Sequence, residues 1–209
     1  DHQSQRLFIP ASNIKLITSA ASLYILGPHY SFKTRALADG EIRGGIIYGN
    51  LYLKGFGDPF LVSEELWRLA REVKALGIKQ INGDIIGDES YFDTERVGPA
   101  WPKGDLLEPY KPQISALSLN FNTIAFNLSP GSEAGNPVTV SVDPEGDYVR
   151  LHNEAQTSNS RSHNGLSIYR EFRENTDRFQ IKGSLTINSR TQKVYKNVSE
   201  PALYTVNTF

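Results

Sequence analysis

The chain has 209 residues, a formal net charge of −1 and no cysteine. This length allows one large domain or two small ones. The absence of cysteine excludes disulfides, thiolate catalysis and cysteine-ligated zinc. A near-neutral charge without runs of like charge does not indicate nucleic acid or an anionic membrane as a partner. No apolar run approaches the ~20 residues that a membrane-spanning helix needs.

The first predicted element is an apolar helix over residues 12–26, which follows Pro10-Ala11 and ends at Gly27-Pro28. Its apolar residues cover most of the circumference, so we expect it to be buried on nearly all sides. Ser12 and Lys15 lie three residues apart at its start and therefore share one face.

The Ser12-x-x-Lys15 pattern has two interpretations. Serine attacks a carbonyl only if a base takes its proton, and lysine is a base only if its charged form is disfavoured. The helix dipole in the first turn and the apolar neighbours both disfavour the charged form of Lys15. In the other interpretation Ser12 is an ordinary N-cap and Lys15 is incidental. The residues alone leave both open.

The middle of the chain predicts short strands and one further helix. Glycine-rich turns near Gly40 and Gly49 separate strand-like runs over 31–55, a pattern typical of antiparallel hairpins. An amphipathic helix over 63–77 follows, then a strand, an Asn82-Gly83 turn and another strand.

The last part predicts strands at 114–128, 137–142, 147–151, 165–172 and 178–187, with a polar surface loop at 153–165. Ser199-Glu200-Pro201 is typical of a helix start, with proline in the first turn. The predicted fold class is α+β, with strands outnumbering helices.

Neither a metal nor a cofactor is indicated. Four aspartates flank glycine turns, where aspartate commonly stabilises the backbone, and the four histidines have no ligand spacing. The aspartates are Asp84, Asp88, Asp93 and Asp105, and the histidines are His2, His29, His152 and His163. The glycine-rich segments lack the motifs of nucleotide-binding loops.

Several segments resemble one family. "PASNIKLITSAASLYILG" is similar to the active-site helix of penicillin-binding proteins. "GNLYLKGFGDPFL", "INGDIIGDESYFD", "ISALSLNFNTI" and "SEPALYTV" resemble the serine D-alanyl-D-alanine carboxypeptidase/endopeptidases of peptidase family S13, in that family's order. The resemblance implies the front part of a serine transpeptidase/β-lactamase-type domain, interrupted by a β-rich insert. Residues 1–34 would begin the catalytic domain, 35–195 would be the insert, and 196–209 would return to the catalytic domain.

The resemblance also implies a chemistry. Ser12 would be the nucleophile and Lys15 the base of a peptidase that acts on peptidoglycan stem peptides through an acyl-enzyme, and β-lactam antibiotics would acylate the same serine. Asp88 and Phe92 would border the substrate cleft; the alternative is a turn aspartate and a core phenylalanine. The enzyme would work in the periplasm or cell envelope, without a cofactor, and its signal peptide is not part of this chain.

The family's Ser-x-Asn and Lys-Thr-Gly elements are not matched convincingly. Ser118-Leu119-Asn120 and Ser162-His163-Asn164 match the first by letter, Lys33-Thr34-Arg35 lacks the glycine, and Lys182-Gly183-Ser184 has the wrong order. We therefore expect the front part of a longer enzyme, inactive alone. The alternatives are a β-lactamase-like hydrolase, which the long insert disfavours, and a non-catalytic module that binds cell-wall peptide or protein.

Overall fold

The computed structural model describes residues 5–99, 101, 107–160, 165–173 and 175–209. The chain divides into two compact units, Asp1–Phe32 and Lys33–Phe209. In the first unit a 3₁₀ turn, Ala11–Asn13, leads directly into the helix α1, Ile14–Leu26. Gly27, at φ 80°, ends α1, as the sequence predicted.

The prediction that α1 is buried is wrong. Among the residues that the structure describes, no side chain of α1 is buried. A helix that is apolar on all sides needs neighbours on several sides, and the described residues do not supply them. Large apolar side chains are therefore exposed along it, namely Ile14, Leu16, Ile17, Leu23, Tyr24, Ile25 and Leu26.

Where the structure describes it, the second unit is built of short strands and two helices. In chain order these are β1 Thr34–Ala38, β2 Glu41–Arg43, β3 Ile46–Tyr48, β4 Leu51–Gly55, α2 Ser63–Ala75, β5 Gln80–Ile81, β6 Ile85–Asp88, β7 Thr123–Ser129, β8 Thr139–Asp143, β9 Val149–Asn153, β10 Gln156–Ser158, β11 Gly165–Arg173, β12 Thr176–Thr186, β13 Gln192–Asn197 and α3 Pro201–Thr208. The α+β class predicted from the sequence is confirmed.

The strands of the described ranges form four small sheets. Their orders are β1-β4-β6, β2-β3-β5, β13-β7-β8 and β10-β12-β11, with β9 also paired to β12. β1 and β4 are antiparallel, and β2 and β3 form an antiparallel hairpin that turns at Gly44-Gly45. The hairpins predicted at Gly40 and Gly49 are wrong, because the strands on either side of each of these turns lie in different sheets. The strands on either side of the Asn82-Gly83 turn do not pair with each other. Because α2 crosses over before them, β5 runs parallel to β3 and β6 parallel to β4.

Two predicted segments differ from the structure. The strand expected over 114–128 starts only at Thr123, because Asn120, Phe121 and Asn122 have positive φ angles of 49°, 58° and 54° and form a turn. Such angles are incompatible with an extended strand. The loop expected over 153–165 contains β10, which continues the sheet beside β12.

The core of the second unit lies between its sheets and α3. Phe126 and Phe179 are fully buried, with ring centroids 4.9 Å apart. Tyr204 of α3 is also buried and donates a hydrogen bond to the Thr123 carbonyl at 3.1 Å. α3 follows the predicted start, with Pro201 in its first turn. The last helix is thereby fixed against β6 and β7.

Candidate active site

Ser12 and Lys15 lie in the first unit, at the junction of the 3₁₀ turn with α1. The Lys15 Nζ donates to the Ser12 Oγ at 3.4 Å. Helical spacing accounts for the pair, because residues three apart lie on the same face. The turn is closed by a hydrogen bond from the Asn13 amide to the Pro10 carbonyl at 3.0 Å.

The N-cap interpretation of Ser12 is not supported by this geometry. Neither the 3₁₀ turn nor α1 has a side-chain cap hydrogen bond at its start. The residue that precedes α1 is Asn13, and Ser12 lies inside the turn. Its hydroxyl therefore faces the amine of Lys15 rather than a backbone amide.

The backbone beside the pair is strained. Ala11 has φ 45°, in the left-handed region that residues other than glycine, asparagine and aspartate rarely occupy. Such a conformation costs on the order of 1–3 kcal/mol and is frequent at functional sites. It turns the chain sharply at the entrance to α1, directly before Ser12.

The arrangement can transfer a proton but is open to solvent. A hydroxyl beside an amine is the minimum needed for base-assisted nucleophilic attack, and such hydrogen bonds are often long in ligand-free sites. Both side chains are exposed. The described residues therefore do not provide the apolar surroundings that the sequence predicted for Lys15.

Asp88, predicted at the border of a substrate cleft, is held by neighbours in the second unit. Its Oδ2 accepts from Lys54 Nζ at 2.6 Å, and its Oδ1 accepts from Ser90 Oγ at 2.6 Å. The hydrogen bond from Lys54 is the main reason that the pKa of Asp88 falls to about 2. No local sequence signal marks Lys54, because only the parallel β4–β6 register places it opposite Asp88.

Phe92 packs beside a glycine of the same unit. Gly57 has φ 78°, and a Cβ there would lie 2.6 Å from the Phe92 ring. The Phe92 ring also lies 5.8 Å from that of Tyr91, and 42% of Phe92 remains exposed. The role of Asp88 and Phe92 at a substrate cleft stays a prediction.

Ser118 and Asn120, of the first Ser-x-Asn match, are bound to other residues of the second unit. Ser118 Oγ donates to the Ser115 carbonyl at 2.9 Å. Asn120 Oδ1 accepts from the Ser63 amide at 3.0 Å, and its Nδ2 donates to Ser63 Oγ at 2.8 Å. These contacts anchor the start of α2, so both side chains have a structural role. The second match, at 162–164, lies outside the described residues.

Within the described residues no three histidine, aspartate or glutamate side chains come together as a metal site would require. Asp105 lies outside those residues. None of the described helices is long and apolar enough to cross a membrane.

Curated relatives share the sequence over most of its length. The chain is 36% identical over 206 residues to a D-alanyl-D-alanine carboxypeptidase of an Actinomadura strain, a match that covers 93% of this chain and 37% of that protein. It is 28% identical to the D-alanyl-D-alanine carboxypeptidase DacB of Haemophilus influenzae, covering 88% of this chain and 38% of the relative. The chain thus spans well under half the length of these relatives.

A solved structure shares the fold. The crystal structure of penicillin binding protein 4 (dacB) from Haemophilus influenzae superimposes with a TM-score of 0.77 at 27% identity, covering 96% of this chain and 44% of the other. A structure of the same protein complexed with a β-lactam gives a TM-score of 0.66 at 25% identity. The family model of the D-Ala-D-Ala carboxypeptidase 3 (S13) family matches residues 1–209. The chain therefore belongs to the D-Ala-D-Ala carboxypeptidase 3 (S13) family.

Proposed function

We propose that this chain supplies the nucleophile and the base of a serine D-Ala-D-Ala carboxypeptidase/endopeptidase that acts on peptidoglycan stem peptides. The observation that carries the proposal is the 3.4 Å hydrogen bond between Lys15 Nζ and Ser12 Oγ. It lies at the start of a helix in a chain matched throughout by the family model. The matching relatives are themselves carboxypeptidases by name.

The proposed reaction proceeds through an acyl-enzyme. Lys15 takes the proton from Ser12 Oγ as the oxygen attacks the carbonyl between two D-alanines. The bond to the terminal D-alanine breaks, and its nitrogen leaves with a proton from the Lys15 ammonium. Water then attacks the ester on Ser12, which releases the shortened peptide and restores the hydroxyl. A β-lactam ring would acylate Ser12 in the same way.

The proposal includes the domain assignment and the location. We assign residues 1–34 and 196–209 to the catalytic domain and 35–195 to an insert, with the reaction in the periplasm or cell envelope. The boundary between the two compact units, after Phe32, lies close to the first of these limits. α3, however, packs against β6 and β7 of the second unit.

A fluorescent penicillin tests this function. We expect the product of the whole gene to be labelled covalently and stably, and Ser12→Ala to abolish the label. Ser22→Ala, on the same helix, is the matched control and should label normally. The sequence contains no Lys-Thr-Gly, so the 209-residue chain alone should label weakly or not at all.

Other results would overturn the proposal in distinct ways. Rapid turnover of the penicillin would indicate a β-lactamase-like hydrolase. Absence of any label on the product of the whole gene would indicate a non-catalytic module. Equal labelling of Ser12→Ala and the unsubstituted protein would show that another residue is the nucleophile.

A further inference from the structure

The sheet of β9, β12 and β11 presents a polar outer face in the second unit. Cross-strand register aligns two rows of outward side chains on it, because residues paired across a ladder point to the same side. The first row is Tyr169, Gln180 and His152, and the second is Glu171, Arg178 and Arg150. These rows, which we call the outer rows, lie far from Ser12 in sequence and have no part in the proposed acyl transfer.

The outer rows are held by a rigid core. The alternate residues of β12, Phe179 and Ile181, are fully buried, so their outward neighbours have fixed backbone positions. A depression of about 240 Å³ lies over the rows and is lined by His152, Tyr169, Arg170, Glu171, Arg178 and Gln180. It has the size of a shallow site for about one sugar ring, below the range of ordinary drug-sized pockets.

The depression contains an exposed aromatic ring, that of Tyr169, and an exposed guanidinium, that of Arg178. The Tyr169 side chain is 54% exposed. Arg178 is exposed and makes no hydrogen bond or ion pair with another described residue. It interacts with Glu171 only electrostatically. Its guanidinium can therefore donate a planar pair of hydrogen bonds to a ligand carboxylate.

The remaining polar groups in the depression are oriented in advance. His152 Nε2 lies 2.8 Å from Glu154 Oε1, and Gln180 donates to the same carboxylate. Glu171 is paired with Arg173. These side chains are already ordered by their contacts with one another. Binding of a ligand therefore costs little conformational entropy at these side chains.

We propose that the outer rows bind the glycan strand of the cell wall, an inference that rests on the proposed action on peptidoglycan. A pyranose ring would stack its C–H face on Tyr169, since the face of an aromatic ring is electronegative. Arg178 would hold the lactyl carboxylate of muramic acid units from which the stem peptide has been removed, because an attached stem peptide converts that carboxylate into an amide. Gln180 and His152 would bond to hydroxyl or amide groups. Glu171 and Glu154 disfavour a dense polyanion such as a nucleic acid, because they would repel successive phosphates.

Calorimetry with the 209-residue chain tests the inference directly. The probe is a peptide-free oligosaccharide of alternating N-acetylglucosamine and N-acetylmuramic acid. We expect saturable binding that weakens about tenfold in Tyr169→Ala, which corresponds to about 1.4 kcal/mol and lies within the usual contribution of an aromatic contact. Arg178→Gln should weaken it by a similar factor, and should leave binding of a chitin oligosaccharide, which has no carboxylate, unchanged.

Matched controls lie elsewhere in the second unit. Tyr195→Ala removes a tyrosine that is 46% exposed on β13, and Arg68→Gln removes an exposed arginine on α2. Both should bind the oligosaccharide normally. Circular dichroism of each variant checks folding, and Arg178→Gln, a change at an exposed side chain, keeps the test valid if Tyr169→Ala unfolds.

Three results would overturn the inference: no binding of the oligosaccharide, equal binding by all variants, or binding that requires the stem peptide. The outcome is separable from that of the proposed function. Ser12→Ala should lose penicillin labelling and keep glycan binding. Normal labelling of the product of the whole gene, combined with no glycan binding, would remove this inference alone.

Discussion

Lys54 and Asp88 are paired across the β4–β6 ladder, with 2.6 Å between Lys54 Nζ and Asp88 Oδ2. Both side chains are about three-quarters buried, and Ser90 bonds to both. The ion pair therefore joins strands that are 34 residues apart in the sequence. An ion pair this well shielded from water contributes more than a fully exposed one.

We predict that Asp88→Asn lowers the free energy of unfolding by about 1–2 kcal/mol at pH 7. The pKa of Asp88 is lowered to about 2 from 3.8. Its contribution is thus complete above pH 3.8 and is lost as pH falls through 2. Denaturant unfolding at pH 7, 4 and 2 should show the difference from the unsubstituted chain shrinking towards zero.

The matched control for Asp88→Asn is Asp143→Asn. Asp143 lies 3.8 Å from Lys193, and both side chains are about half exposed or more. Since exposed pairs contribute little, this variant should unfold like the unsubstituted chain. A pH-independent effect of Asp88→Asn would contradict the assignment to the ion pair.

Tyr148→Phe should destabilise the second unit by about 1–3 kcal/mol, because it removes the two hydrogen bonds that a buried hydroxyl makes. The Tyr148 hydroxyl donates to Asp177 Oδ2 at 3.2 Å and accepts from the Glu200 amide at 2.9 Å, directly before α3. Thermal unfolding measures the change. Tyr195→Phe, at an exposed tyrosine, is the control and should melt normally. A normal melting temperature for Tyr148→Phe would contradict the role of this hydroxyl.

Gly87→Ala should cost about 1–3 kcal/mol through overpacking. α3 crosses β6 at this glycine, and a Cβ there would lie 2.9 Å from the Ala202 carbonyl oxygen and 3.1 Å from its Cβ. Gly165→Ala is the comparison, since a Cβ at Gly165 meets no atom of the described residues within 4 Å. The urea midpoints of unfolding of the two variants measure the difference in stability. Similar midpoints would mean that α3 moves away from the added methyl group at little cost.

Lys15→Arg should slow penicillin acylation of the product of the whole gene by about 10²–10⁴-fold, the usual contribution of a positioned base. A guanidinium keeps its positive charge but cannot accept the Ser12 proton at ordinary pH. The rate of label incorporation measures the effect, while circular dichroism confirms the helix. Lys33→Arg is the control outside α1. Unchanged acylation by Lys15→Arg would show that Lys15 does not act as the base.

Local sequence signals predicted several elements correctly. Apolar periodicity located α1 and α2, and Pro201 marked the first turn of α3. The spacing of Ser12 and Lys15 was enough to predict that their side chains would meet. These features depend on residues within about one or two helical turns of each other, which is why a single sequence reveals them.

Other features could not be predicted because they depend on contacts between distant segments. The bond between Ser63 and Asn120 and the register of Lys54 with Asp88 arise only when the sheets assemble. The same holds for the row of Tyr169, Gln180 and His152. Strand pairing is set by the whole hydrophobic pattern and by crossovers such as α2, not by neighbouring residues.

The sequence by itself located the helices, although α1 begins at Ile14 rather than at residue 12, and it placed Ser12 and Lys15 on one face, since backbone geometry dictates such spacing within one turn. It also carried the segments that mark the family. Only the tertiary structure decided that Asp88 is engaged by Lys54 and that the residues of α1 are exposed. Burial and pairing are properties of the surfaces that surround a residue, and those surfaces come from remote parts of the chain.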